Sequence, residues 1–265
     1  MAESTLTLGY PEIRQAVAYY LSFGTTIANW TATQEAIIEA IVQTGYRRVL
    51  YPFAADGNDA GYNWSFLRPT TTLAIVADVG DYDLPDDYGS IIGELHYAPD
   101  KHKAPIKMVS LATILDMRSA SDRNQAPYWA ATRYKASDGT AGQKQEILTY
   151  PESDDDYTLY YSYDAYAGVM SDAAPYPLGG MQMSEVYKES CLAVAESRNG
   201  DEIGLHNTLF KALLDDAIMR DKQRGTKNFG QMGQSDYASA RATPWRRGSK
   251  LHDCAYEITY GGVYL

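Results

Sequence analysis

The residues able to do chemistry in this 265-residue sequence are few and scattered. Its four histidines stand at His96, His102, His206 and His252, and neither His-Glu-x-x-His nor Gly-x-Ser-x-Gly occurs. A hydrolase needs a nucleophile with its base and orienter, or two carboxylates facing across a cleft. For the second arrangement Glu152 and Asp154 would have to line a pocket. His96 and His102 flank a turn-prone stretch and could share a metal. Asp78, Asp81, Asp83, Asp86 and Asp87 are dense enough to suggest calcium, but Gly80 falls too early for an EF-hand loop and Pro85 interrupts it. A solvated turn is the expectation there, and a hairpin tip at Asp154-Asp155-Asp156. Neither a Walker loop nor Gly-x-Gly-x-x-Gly is present, so nucleotide binding has no support. Cys191 and Cys254 form no Cys-x-x-Cys pair and read as free thiols, which excludes a disulfide framework and a cysteine zinc site. The expectation is a protein with no catalytic residues, no cofactor and no metal: not an enzyme.

Composition narrows the partners. A formal net charge of −11 opposes wrapping of nucleic acid, which needs clustered Lys and Arg, yet suits a wall past which a duplex slides without sticking. Tyrosine outnumbers phenylalanine 23 to 5. Tyrosine combines rigid apolar area with a polar end, which fits surfaces covered on assembly as well as a Tyr-rich sheet surface. The apolar runs, such as Leu73 to Ala77, are far too short for a membrane span. The N-terminus lacks the basic and apolar stretches of a secretory signal, so cytoplasmic folding is expected, and the acceptor triplets at Asn29 and Asn63 carry no glycosylation argument.

The spacing of apolar residues predicts an α+β chain. Ile13, Val17 and Tyr20-Leu21 form a first helix behind Pro11, ended by Gly24. A second, capped by Thr31 or Thr33, carries Ile37-Ile38, Ile41 and Val42, with Gly45 weakening its last turn. From Trp64 to about Tyr166 the period becomes two: Leu73/Ile75/Ala77, Leu95/Tyr97, Ile106/Met108 and Tyr157/Leu159/Tyr161/Tyr163 share faces. Turns break these runs at the spacing of an antiparallel sandwich or barrel. A short helix interrupts from Ser110 to Ala120, with Leu111, Ile114 and Leu115 inward. Helices return with Met183, Tyr187, Cys191 and Val194-Ala195, then Leu205, Leu209, Ala212-Leu213 and Ala217. The expected architecture is a helical bundle of two N-terminal and two C-terminal helices (residues 1–60 and 180–225). An antiparallel β-domain (61–179) is inserted between the pairs, and an extended arm (226–265) follows.

That arm differs from the rest. It is rich in Gly, Ser, Gln and Asn, and sets Arg241, Arg246, Arg247 and Lys250 among Trp245, Tyr256, Tyr260 and Tyr264. Tyr256 to Tyr260, with Ile258 at its centre, has the alternation of a strand that could add to another subunit or partner. A basic aromatic tail on an acidic body reads as a docking arm able to order on binding.

Two short motifs specify more. Trp64-Ser65-Phe66-Leu67 follows a helix that runs out through Gly45 to Pro52. Trp64 and Phe66, two apart, would share one face of a strand and plug the space between helices and sheet. Leu84-Pro85, in Tyr82-Asp83-Leu84-Pro85, would end an edge strand, because proline cannot donate to a ladder. With the helix around Ala193-Val194-Ala195-Glu196, this order resembles the head-to-tail connector (adaptor) proteins of tailed bacteriophages over roughly residues 10 to 220. The resemblance implies a virion protein at the head-tail interface, assembled in the host cytoplasm. It would form a ring, usually of twelve copies, docked beneath the portal protein and joined to a tail protein (tube, nozzle or terminator). DNA would pass through its channel without sequence-specific contact, and no membrane would be involved. By position, the arm with Trp245, Arg246, Arg247, Lys250, Tyr256, Ile258, Tyr260 and Tyr264 would reach into the portal. The competing expectation is a β-sandwich module of a phage tail or particle whose exposed Tyr and Trp stack on glycans.

Overall fold

A computed structural model of the protein describes residues 4–52, 61–120, 125–140, 142–200 and 204–224. The N-terminal helices form where their caps are. In α1 (Tyr10–Tyr20) the Glu12 carboxylate accepts the Gly9 N–H at 3.0 Å, and Pro11 occupies the first turn. In α2 (Ala32–Leu50) the Thr31 hydroxyl accepts the Gln34 N–H at 3.3 Å while the Gln34 side chain accepts the Thr31 N–H at 2.9 Å. This reciprocal capping box satisfies two otherwise orphaned donors. Ile13, Val17, Ile38, Ile41, Val42 and Val49 are buried, whereas Ile37, expected inward beside Ile38, is exposed.

Helix α4 (Ser184–Gly200) lies against both, with Tyr187, Cys191, Val194 and Ala195 in the shared core. Gly45 does not end α2: it sits inside the helix at the crossing with α4. A Cβ there would lie 2.6 Å from Cys191 Sγ and 2.8 Å from both Cα and N of Cys191. Glycine is present because two helix backbones approach closely, and Ser190 Oγ donates to the Gly45 carbonyl at 2.9 Å across the same contact.

Helix α5 (Leu205–Arg224) corrects the expected stripe. Phe210 and Ala217 join the helical core, while Leu205 and Leu209 face solvent. Its sequence has apolar residues on two sides, and periodicity alone does not say which side meets the core.

Among the described residues seven strands form two sheets: β1 (Thr70–Ile75), β7 (Tyr157–Ala165) and β3 (Tyr88–Tyr97) in the order β1-β7-β3, and β2 (Asp81–Asp83), β6 (Gln145–Tyr150), β5 (Trp129–Tyr134) and β4 (Lys107–Met108) in the order β2-β6-β5-β4. Their facing sides share one core containing Ile75, Leu95, Ala130, Ile147, Leu159 and Tyr161. Strand β7 alternates as expected, Tyr157, Leu159, Tyr161 and Tyr163 being buried. These tyrosines therefore fill the space between sheets and are not a surface.

Three expectations are corrected here. Lys107–Met108 pairs with β5 in parallel, so the β-domain is not wholly antiparallel. Strands β6 and β7 lie in different sheets, so Asp154-Asp155-Asp156 is a crossing between sheets and not a hairpin tip. In α3 (Leu111–Ala120), capped by Ser110 Oγ on the Thr113 N–H at 3.2 Å, Ile114 is fully buried against Ala131, Leu148 and Tyr150, but Leu115 is exposed. This helix covers the outer side of the second sheet, which explains why β6 is buried on both faces.

The chain divides into two compact units, Met1–Asp221 and Lys222–Leu265, and all contacts described concern the first. No described helix is long and apolar enough to cross a membrane.

Candidate functional site

The two sequence motifs sit at structural junctions. Trp64-Ser65-Phe66-Leu67 is not strand: Ser65–Leu67 is a turn of 3-10 helix, and the period-two pattern begins only at Thr70. Trp64 is fully buried and its indole N–H donates to the Val49 carbonyl at 2.8 Å, satisfying the last turn of α2. Phe66 stacks on it with ring centroids 5.3 Å apart, so the two aromatics meet through the turn and not through a shared strand face. Asp221 on α5, itself buried, anchors the turn: its carboxylate accepts the Ser65 N–H at 2.9 Å and the Tyr62 hydroxyl at 2.7 Å. Burial, followed by the Asp221 contact, pushes the Tyr62 hydroxyl up to about 12. A cleft of about 210 Å³ opens beside the junction, lined by Leu50, Tyr51, Trp64, Gly89, Asp164 and Tyr166.

Tyr82-Asp83-Leu84-Pro85 closes strand β2, an edge strand that ends at Asp83. Leu84 is buried between the sheets, its N–H donating to the Gln145 carbonyl at 3.1 Å, and Pro85 turns the chain, its carbonyl accepting the Tyr88 N–H at 3.0 Å. The Tyr82 hydroxyl donates to the Val79 carbonyl at 2.6 Å and accepts the Val76 N–H at 3.1 Å.

The aspartates around this turn are matched by bases. Arg118 on α3 donates to Asp81 at 2.7 Å and to the Gly80 and Thr149 carbonyls, each at 2.9 Å. Lys135 pairs with Asp83, Lys144 with Asp86, and the Tyr163 hydroxyl donates to Asp87 at 3.0 Å. Lys135 holds the Asp83 carboxyl below its usual range. These carboxylates stay exposed, as a solvated turn would have them.

Among the described residues no group of three His, Cys, Asp or Glu could hold a metal. His206 contacts Glu189 at 2.7 Å and meets the Tyr20 ring edge-on at 5.5 Å, a joint between α4, α5 and α1. An open groove of about 760 Å³ runs past it, lined by Ala16, Tyr19, Tyr20, Lys188 and Leu192. Burial pushes the Cys191 thiol up to about 12, which makes it an inert core residue. Tyr157 donates to Asp154 at 2.8 Å, so that carboxylate caps the crossing between sheets. Trp245, Arg246, Arg247, Lys250, Tyr256, Ile258, Tyr260 and Tyr264 of the arm, together with His252 and Cys254, lie outside the described residues.

Asp221, Arg118 and Gly45, the residues that tie these junctions together, were not singled out by sequence reasoning as ties. A charge within an otherwise apolar face of α5 was the available signal for Asp221; Arg118 gives none, since its partners are backbone carbonyls and a distant strand. No curated protein matches the chain. A profile of the SU10 adaptor protein family matches residues 9–242, and the chain belongs to that family.

Proposed function

We propose that this protein is a structural subunit of a ring-shaped head-to-tail connector in a tailed bacteriophage, docked under the portal and forming part of the DNA channel to the tail. The family match over residues 9–242 carries the reading, since it supports a phage structural protein that contacts other virion components. The acidic balance of −11 adds to it, because a negative wall lets a duplex pass without adhering. The ring has twelve copies, portal protein on one side and a tail protein on the other. The arm from residue 226, with Trp245 to Lys250 and Tyr256 to Tyr264, docks on the portal. The protein makes and breaks no covalent bond.

The glycan-binding alternative needs a strip of outward aromatics on one sheet face. Tyr157, Tyr161 and Tyr163 point between the sheets instead, so β7 does not provide one.

The test is assembly. Purified protein mixed with its portal should form rings with a DNA-sized channel in electron micrographs, and a chain truncated after Gly225 should keep its fold and lose docking. A pair that stays separate at high concentration defeats the connector reading; equal docking by the truncated chain defeats the role of the arm.

A further inference from the structure

Strand β1 is an open sheet edge. It pairs with β7 on one side in a register that runs Thr70↔Ser162 to Ile75↔Tyr157. The Tyr163 N–H donates to the Pro69 carbonyl at 3.2 Å, which fixes the phase of that ladder. Pro69, Thr71, Leu73 and Ile75 turn their backbone groups toward β7, so Thr70, Thr72 and Ala74 turn theirs away. Among the described residues nothing pairs with those outward groups. The edge has defined ends. Pro69 begins it, and at Val76, next in the same phase, the Tyr82 hydroxyl takes the N–H at 3.1 Å and lies 3.0 Å from the carbonyl.

The other edges are protected. Strand β2 is three residues long, carries Asp81 and Asp83, and runs into Pro85; β4 has two residues. Strand β3 is covered at Leu95 by the bridge to Ile106 and at Gly89 by Gln145, whose amide donates to the Gly89 carbonyl at 3.2 Å. Short strands, charge, proline and coverage are the usual means of blocking an edge. Thr70–Ile75 has no charge and no proline within it. On its inner side Leu73 is only partly covered at the rim of the β-domain core, and on its outer side Thr70, Thr72 and Ala74 are exposed.

An added strand must therefore be short, apolar on alternate residues toward Leu73, and tolerant of water on the other side. The 41 residues beyond Arg224 contain such a segment: Tyr256, Ile258 and Tyr260 alternate with Glu257 and Thr259. We propose that β1 is the seat for the Tyr256–Tyr260 segment of a second copy of this chain. Glu257 and Thr259 stand opposite the outward-facing edge residues and exchange backbone hydrogen bonds with them. Tyr256, Ile258 and Tyr260 extend the apolar layer over Leu73. Exchange of this kind runs in one direction from copy to copy, the connectivity a ring requires. The same residues belong to the arm that docks on the portal, so this seat holds them in the contact between copies before the portal takes them, and it is tested without the portal.

The test is amide exchange on the full chain, with a synthetic peptide of residues 255–262 as probe. In dilute protein the Thr70, Thr72 and Ala74 amides should exchange fast, and excess peptide should slow them about tenfold or more. Leu73 and Ile75, already bonded to β7, should not change. Thr72→Pro removes an outward N–H and leaves the ladder to β7 intact, so Leu73 and Ile75 report that variant's fold; it should abolish the peptide's effect at Ala74. Peptide N-methylated at Glu257 and Thr259 makes the same test on the unmodified protein and should have no effect. Unchanged exchange with saturating peptide, or equal slowing by the N-methylated peptide, overturns the seat. Slow exchange at these amides in dilute, monomeric full chain overturns the second copy as the source.

Discussion

The Asp221 carboxylate holds the Ser65 amide at 2.9 Å, and this one contact ties the last helix to the turn that begins the β-domain. The same carboxylate takes the Tyr62 hydroxyl at 2.7 Å. Next to it Trp64 reaches back to the Val49 carbonyl at the end of α2, so both helical segments converge on residues 62–65. The short turn joins the helical and sheet layers through a buried indole and a buried charge.

Asp221→Ala should destabilise the protein by about 2–4 kcal/mol, because it strands a part-buried amide and a hydroxyl that lose a charged acceptor. Asp221→Asn keeps an acceptor oxygen and should cost about 1 kcal/mol. Urea midpoints of the two variants check the order. Equal loss in both would mean that charge, and not hydrogen bonding, holds the turn.

Gly45→Ala should also destabilise, against helix propensity. In an exposed helix that change gains about 1 kcal/mol. Here the new methyl would meet the backbone of Cys191 at 2.8 Å, and a backbone has no rotamer to change. Overpacking of this kind costs about 1–3 kcal/mol beyond the propensity gain. The diagnostic result is the double variant: Cys191→Ala removes the sulfur and leaves the backbone contact, so it should not restore stability. A stabilised Gly45→Ala protein would show that α2 and α4 can part without cost.

These two residues show what was legible in the sequence. The elements were, because caps such as Thr31–Gln34 and Ser110–Thr113 and the alternation of Tyr157 to Tyr163 act within a few residues. So was the burial of Trp64 and Leu84, although not the turn that seats Trp64. Choices between two apolar faces, as in α5, and contacts between distant segments, as at Gly45–Cys191 and Ser65–Asp221, depend on partners a local pattern does not contain. The aspartates around Pro85 are exposed, as a solvated turn would have them, but their basic partners were not legible. Arg118, Lys135 and Lys144 come to them from other elements.

Tyrosine chemistry gives the protein an alkaline limit. Burial pushes the hydroxyls of Tyr88 and Tyr161 up to about 12 and raises those of Tyr97 and Tyr187 as well. The ordinary value of 10.0 holds in the unfolded chain, so the folded state favours the protonated form. Stability from these groups is fully present below pH 10 and is lost as pH rises toward and through 12. Urea midpoints should therefore hold steady from neutral pH to about 10 and then fall, with tyrosinate absorbance appearing together with unfolding. Surface lysines also lose charge in alkaline solution, so the wild-type curve alone does not assign the effect. Tyr161→Phe separates them, since it removes a buried hydroxyl and no lysine. Its alkaline fall should be shallower than that of the wild type while its stability at neutral pH changes by less than about 1.5 kcal/mol. An alkaline limb of unchanged slope in that variant would remove Tyr161 from the groups that set the limit.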